Sequence, residues 1–143
     1  MVRKTGLTKA ALLLMLLFLF TGCMEKEEDK LKKDVEFTVC DKTKLPEELV
    51  EIIQEKKEKV CKLTYINGSY MYIVVCYGEH SRNNLNVVVK DLYVTDTALY
   101  VDTTLATSGH SPSDAEALGE YSMYPYIVLK CEKYDLPVVF NID

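Results

Sequence analysis

From Val35 onward the chain is written mostly in alternations of two. Val35, Phe37 and Val39 alternate with Glu36, Thr38 and Cys40, the period of a strand with one face buried. The pattern then changes. Pro46 suits a first helical position, Glu47 and Glu48 favour the positive end of a helix dipole, and Lys56, Lys57 and Lys59 gather at the other end. Leu45, Leu49, Ile52 and Ile53 form one apolar stripe, so this helix is expected to lie on a sheet. Period two returns in Val60–Ile66 and Ser69–Tyr77, which flank Asn67-Gly68, a strong signal for a tight hairpin. A two-residue loop there sets Ile66 opposite Ser69, Tyr65 opposite Tyr70, Leu63 opposite Tyr72 and Cys61 opposite Val74. Cys61 and Cys76 then share a face but sit diagonally.

Asn86–Thr95 and Leu99–Ala106 make a second hairpin around Asp96-Thr97-Ala98, and the run Val87-Val88-Val89 predicts a central strand. Tyr126–Lys133 and Val138–Ile142 make a third, turning through Tyr134-Asp135-Leu136-Pro137. One long connection, 107–122, is loop-like, with a helical turn expected near Asp114–Leu118. The expected class is α+β: antiparallel sheets of about seven strands in three hairpins, with one N-terminal amphipathic helix.

The first 34 residues follow different rules. Arg3, Lys4 and Lys9 precede an uncharged run from Ala10 to Phe20, closed by Thr21-Gly22-Cys23. The run is too short to span a bilayer and has the layout of a secretory signal. Phe20-Thr21-Gly22-Cys23 is similar to the lipobox of bacterial lipoproteins, in which the cysteine is acylated and becomes the new N-terminus. Cys23 is therefore the expected lipidation site, residues 1–22 the signal peptide, and residues 23–34, almost wholly charged, a solvated tether. The expected location is the extracytoplasmic face of the cell membrane, held by lipid.

Charge narrows the partners. The 143 residues carry a net charge of −5; removal of Arg3, Lys4 and Lys9 takes this to −8 (−5 − 3), and no basic patch remains to release counterions from nucleic acid. The domain, residues 35–143, is long enough for one core.

Candidate chemistry is sparse. With Cys23 acylated, four cysteines remain, open either to two disulfides, with Cys61–Cys76 and Cys40–Cys131 preferred, or to buried free thiols. No CxxC spacing points to a metal. His80 and His110 fall in loops. Ser108, Ser111 and Asp114 lie near His110 without a nucleophile elbow, and Cys76 with His80 lacks a third orienting group. No nucleotide-binding or EF-hand pattern occurs; no metal, cofactor or catalytic residue is expected. Ten tyrosines stand out, and Tyr121, Tyr124 and Tyr126 are the candidate aromatic binding face.

Leu63-Thr64-Tyr65, Tyr72-Ile73-Val74-Val75, Tyr77-Gly78-Glu79, Val89-Lys90-Asp91-Leu92-Tyr93, Asp102-Thr103-Thr104-Leu105, Tyr124-Pro125-Tyr126-Ile127-Val128 and Pro137-Val138-Val139-Phe140 together resemble the C-terminal domain of the protease complex subunit PrcB family, over roughly Phe37 to Phe140. The resemblance implies a small exported or lipid-anchored, non-catalytic protein that supports assembly or stability of a surface protease complex. A protease inhibitor acting through a rigid loop is the alternative expectation. The family's Pro-Thr-Gly-Gly-Tyr loop is replaced here by residues after Gly78-Glu79: His80, Ser81, Arg82, Asn83, Asn84 and Leu85. Asparagine is the next best residue after glycine at positive φ, so Gly78, Glu79, His80, Arg82, Asn83, Asn84 and Leu85 form the candidate binding loop.

Overall fold

Seven consecutive residues, Met71–Tyr77, are buried, and a strand so covered must lie between two layers. The computed structural model describes residues 32–82, 84–107 and 123–143. Its elements are β1 (Lys33–Asp34), β2 (Phe37–Val39), a 3-10 turn (Lys42–Lys44), α1 (Glu47–Lys56), β3 (Val60–Asn67), β4 (Tyr70–Tyr77), β5 (Leu85–Val94), β6 (Leu99–Thr107), β7 (Tyr126–Glu132) and β8 (Val138–Ile142). They form two four-stranded sheets, ordered β1-β5-β6-β8 and β2-β7-β4-β3. Met71, Ile73, Val75 and Tyr77 of β4 meet Leu92, Val94, Leu99 and Val101 in the core between the sheets. The alternate residues Tyr72, Val74 and Cys76 meet Leu49 and Ile53 of α1 on the other side. The predicted stripe thus buries as expected, Leu49 and Ile53 completely, each burial stabilising by roughly 1.5–3 kcal/mol. Where the layers need a polar tie, the buried Tyr77 hydroxyl lies 2.8 Å from the Thr103 hydroxyl, joining β4 to β6 across the core.

The α+β class with largely antiparallel sheets is borne out, as are the first two hairpins. Eight strands are described, and α1 is not N-terminal, since β1 and β2 precede it. β1 lies within the stretch expected to be tether: Lys33 and Asp34 pair with Val94 and Tyr93. The predicted first strand is divided between the sheets, Val35 N–H donating to Leu92 C=O of one and Phe37–Val39 forming β2 in the other, and its alternation misleads. Val35 is buried, whereas Phe37 and Val39 on edge strand β2 are exposed. Val87-Val88-Val89 lies, as expected, on a central strand, β5 between β1 and β6, but that strand is not covered on both faces, and Val88 faces solvent. The apolar row of β5 changes phase between Val89 and Leu92, and a β-bulge at Lys90 absorbs the extra residue so that both halves face inward.

Two pairings differ from expectation. The first hairpin turns through Gly68-Ser69, with Asn67 opposite Tyr70, Leu63 opposite Val74 and Cys61 directly opposite Cys76. Gly68 takes the positive φ of +61°, so the glycine opens the turn and Asn67 stays in the ladder. The third hairpin does not exist. β7 pairs with β2 and β4, while β8 crosses to the other sheet and runs parallel to β6, Leu99 opposite Val138. The connection is fastened at both ends: Lys133 N–H donates to Ser69 C=O in one sheet, and Leu99 N–H donates to Pro137 C=O in the other. Crossing places Val138, Phe140 and Ile142 against the intersheet core, burial that a two-stranded hairpin could not supply.

Candidate functional site

Two segments separated by some forty residues meet where β4 ends and β7 begins. His80 N–H donates to Met123 C=O and Met123 N–H to His80 C=O, both at 2.9 Å, and Tyr77 N–H donates to Pro125 C=O. The segment Gly78–Arg82 and the residues leading into β7 therefore form one rim. A backing comes from the turn between α1 and β3. Gly78 holds φ +77°, and a Cβ there would lie 3.2 Å from Val60 N, 3.3 Å from Lys59 C and 3.4 Å from Glu58 O. Glycine is required at Gly78 for two reasons at once, conformation and space. The His80 ring is fixed by a 3.2 Å contact between Nε2 and Tyr77 C=O.

The rim presents a mixed surface. Glu79 and Arg82 are exposed, and His80, Asn84 and Leu85 half-buried. Tyr124 is half-buried beneath Lys57, whose ammonium lies 5.4 Å from the ring centroid, and Tyr126 sits under Lys42 at 4.6 Å. These ammonium–ring contacts are worth roughly 0.5–1 kcal/mol at exposed sites and hold the rings in place. Tyr126 turns its ring toward the cluster under α1, where burial raises its phenol pKa. The structure thus brings together the candidate loop and two of the three candidate aromatics; Asn83, Tyr121, His110, Ser108, Ser111, Asp114 and Cys23 lie outside the described residues. Met123, Lys42 and Lys57 escape sequence reasoning, because only the tertiary fold puts them beside the loop.

Among the described residues Cys40, Cys61, Cys76 and Cys131 are free thiols. Cys40–Cys131 is corrected by register. Cys131 stands opposite Phe37 and belongs to the intersheet core, while Cys40 packs toward α1; Cys40 is three positions along the strand from Phe37, an odd step, so Cys40 and Cys131 point to opposite faces. Burial pushes the Cys131 thiol up to about 11 and raises that of Cys40. Cys76 is completely buried, and its pKa is raised by that burial and by a hydrogen bond to Cys61. That is the opposite of what activates a thiol nucleophile, and the His80 ring contacts Tyr77 C=O. Among the described residues no group of three or more His, Cys, Asp or Glu is placed to hold a metal ion, and no helix is long and apolar enough to cross a membrane.

Comparison with known proteins adds one match. The family described as PrcB C-terminal matches residues 71–132, a stretch that runs from β4 to the end of β7 and contains both halves of the rim. No curated protein and no solved structure matches the chain.

Proposed function

We propose that this chain, which belongs through residues 71–132 to the PrcB C-terminal family, is a non-catalytic binding or accessory protein. It is held by an acylated Cys23 at the extracytoplasmic face of the membrane and supports the assembly or stability of a surface protease complex. The observation that carries the reading is the rim itself. Within the matched stretch, two distant segments are bonded backbone to backbone at His80 and Met123, and they hold up Glu79, Arg82 and Tyr124. A rigid loop on a sheet scaffold binds with little entropy lost on docking, and Tyr and Arg are the side chains that most often anchor such contacts. The signal layout before Cys23 and the charged stretch after it supply the membrane half of the proposal.

Both halves are testable on the full chain. Conversion of Cys23→Ser should move the protein from the membrane fraction to the soluble one; unchanged partition would remove the anchor. A photocrosslinking amino acid at Arg82 should form a reproducible adduct with a surface protease whose activity survives co-purification. An adduct accompanied by lost proteolysis would replace the accessory role with inhibition. The absence of any adduct at Arg82 and Glu79 would end the rim's candidacy.

A further inference from the structure

The observed register of the first hairpin puts two thiols where a covalent bond can form. Cys61 and Cys76 are directly opposed on neighbouring antiparallel strands. Directly opposed residues have Cα atoms roughly 4.5–5.5 Å apart, inside the roughly 4.4–6.8 Å that a disulfide spans. A diagonal placement would put the side chains about 7–8 Å apart and fail. Both side chains project to the same side of the sheet, into the cluster beneath Leu49 and Ile53. Their accessibility differs: Cys61 is half-buried on edge strand β3, and Cys76 is enclosed.

We infer that Cys61 and Cys76 form a reversible cross-strand dithiol/disulfide site, oxidised by disulfide-bearing small molecules or proteins that reach Cys61 from the open edge of β3. The chemistry balances in two exchanges. The Cys61 thiolate attacks one sulfur of an incoming disulfide RSSR, expelling RS⁻ and leaving Cys61 linked to SR. Cys76, enclosed and not ionised beforehand, attacks the Cys61 sulfur that it directly opposes as its proton passes to the departing second RS⁻, which leaves as RSH. Overall two protein thiols and RSSR become one protein disulfide and two RSH, the protein being oxidised by two electrons and the reagent reduced. Cys131 stays outside this exchange because it faces the intersheet core, and Cys40, which shares the face of Cys61 and Cys76, is kept from both by β7, which lies between β2 and β4.

The bond would staple the base of the rim. Val60, whose N–H group backs Gly78, is the residue before Cys61, and Gly78 lies two residues after Cys76. Oxidation therefore fixes the hairpin at the point where the loop leaves it. The site does not depend on the proposed binding role and is tested on the purified chain alone.

Full-length folded protein is incubated with excess glutathione disulfide, alkylated, digested with trypsin and analysed by mass. The expected product joins Val60-Cys61-Lys62 to the peptide Leu63–Arg82, lighter by two hydrogens than the reduced pair, with the Cys40 and Cys131 peptides alkylated. It should be accompanied by a rise in melting temperature on the order of 10 °C, since closing a loop of this length restricts the unfolded chain. In Cys61→Ser, with its far-UV spectrum unchanged, both the joined peptide and the rise should vanish. The inference is overturned if both thiols remain alkylatable after oxidation, if Cys61 stops at the glutathione adduct, if the peptides join only in denaturant, or if Cys61→Ser retains the rise.

Discussion

Replacing Gly78 with alanine and, separately, Gly68 with alanine separates backbone conformation from space. Both glycines hold positive φ, +77° and +61°, so an L-residue at either incurs roughly 1–2 kcal/mol of backbone strain, while alanine regains about 0.4–1 kcal/mol by restricting the unfolded chain. The surroundings differ. Nothing lies within 4 Å of a Cβ at Gly68, whereas at Gly78 three backbone atoms crowd it at 3.2–3.4 Å. These atoms belong to the α1–β3 turn and have no flexible end to swing away, so relief requires moving that turn by a few tenths of an ångström. Overpacking of this kind typically costs about 1–3 kcal/mol. Gly68→Ala should therefore destabilise by roughly 1 kcal/mol and Gly78→Ala by roughly 2–4 kcal/mol. Urea unfolding followed by circular dichroism reads both as shifts in midpoint at constant slope. Equal losses for the two variants would refute the role given to the α1–β3 turn as the backing of the rim. A second readout links the packing to the site: crosslinking through position 82 should fall in Gly78→Ala and persist in Gly68→Ala.

Other expectations follow from the core and its polar tie. Tyr77→Phe should cost about 1–3 kcal/mol, because it strands the Thr103 hydroxyl, and Tyr77→Phe with Thr103→Val should recover part of that loss; a double-mutant cycle showing no coupling would refute the tie. Leu49→Ala should lower stability by about 2–5 kcal/mol and, in the folded protein, speed alkylation of Cys76, the thiol beneath it; unchanged labelling would mean that α1 is not its cover. The Cys131 thiol, held up to about 11 by burial, should stay resistant to iodoacetamide at pH 9 until the protein unfolds, which time-resolved mass spectrometry follows. Asp41 accepts from the Thr43 N–H and hydroxyl, and the backbone bond, then the hydroxyl, lower its pKa. A lowered folded value means that its stabilising contribution is present above the unfolded value of about 3.9 and lost as pH falls through the folded one. A carboxyl titration by NMR should accordingly place Asp41 below the ordinary aspartate value, and Thr43→Val should move it back up.

Local features were legible in the sequence wherever short-range physics decides them. The stripe Leu45, Leu49, Ile52 and Ile53 correctly announced a helix on a sheet, and the alternations on either side of residues 67–69 and 96–98 announced two hairpins. The failures share a different origin. Asn67-Gly68 and Gly68-Ser69 are both sound turn pairs, and the choice between them moves every partner by two positions while leaving each side chain on its face, so hydrophobic patterning could not decide it. β7 and β8 are separated by a turn-like quartet, yet which sheet β8 joins depends on where Leu99 and Val101 already lie. Phe37 and Val39 follow the alternation of a half-buried strand but are exposed, on an edge strand of three residues. The candidate site was half legible. The unusual residues after Gly78 marked one segment and the tyrosines marked the other, but their union through His80 and Met123 is a tertiary fact, as is the crowding that makes Gly78 irreplaceable.

The parallel pairing of β6 with β8 also has a consequence in time. Thirty residues, 108 to 137, separate Thr107 from Val138, so a ribosome finishes β6 well before β8 exists. In that interval the edge of β6 that pairs with β8 in the finished sheet stands open from Leu99 to Thr103. Parallel contacts of this separation form late, and an open strand edge invites other chains. The newborn protein is therefore most vulnerable after its second hairpin is made and before residue 142 emerges. The edge of β6 is the place where a chaperone, or a second nascent chain, would compete with β8.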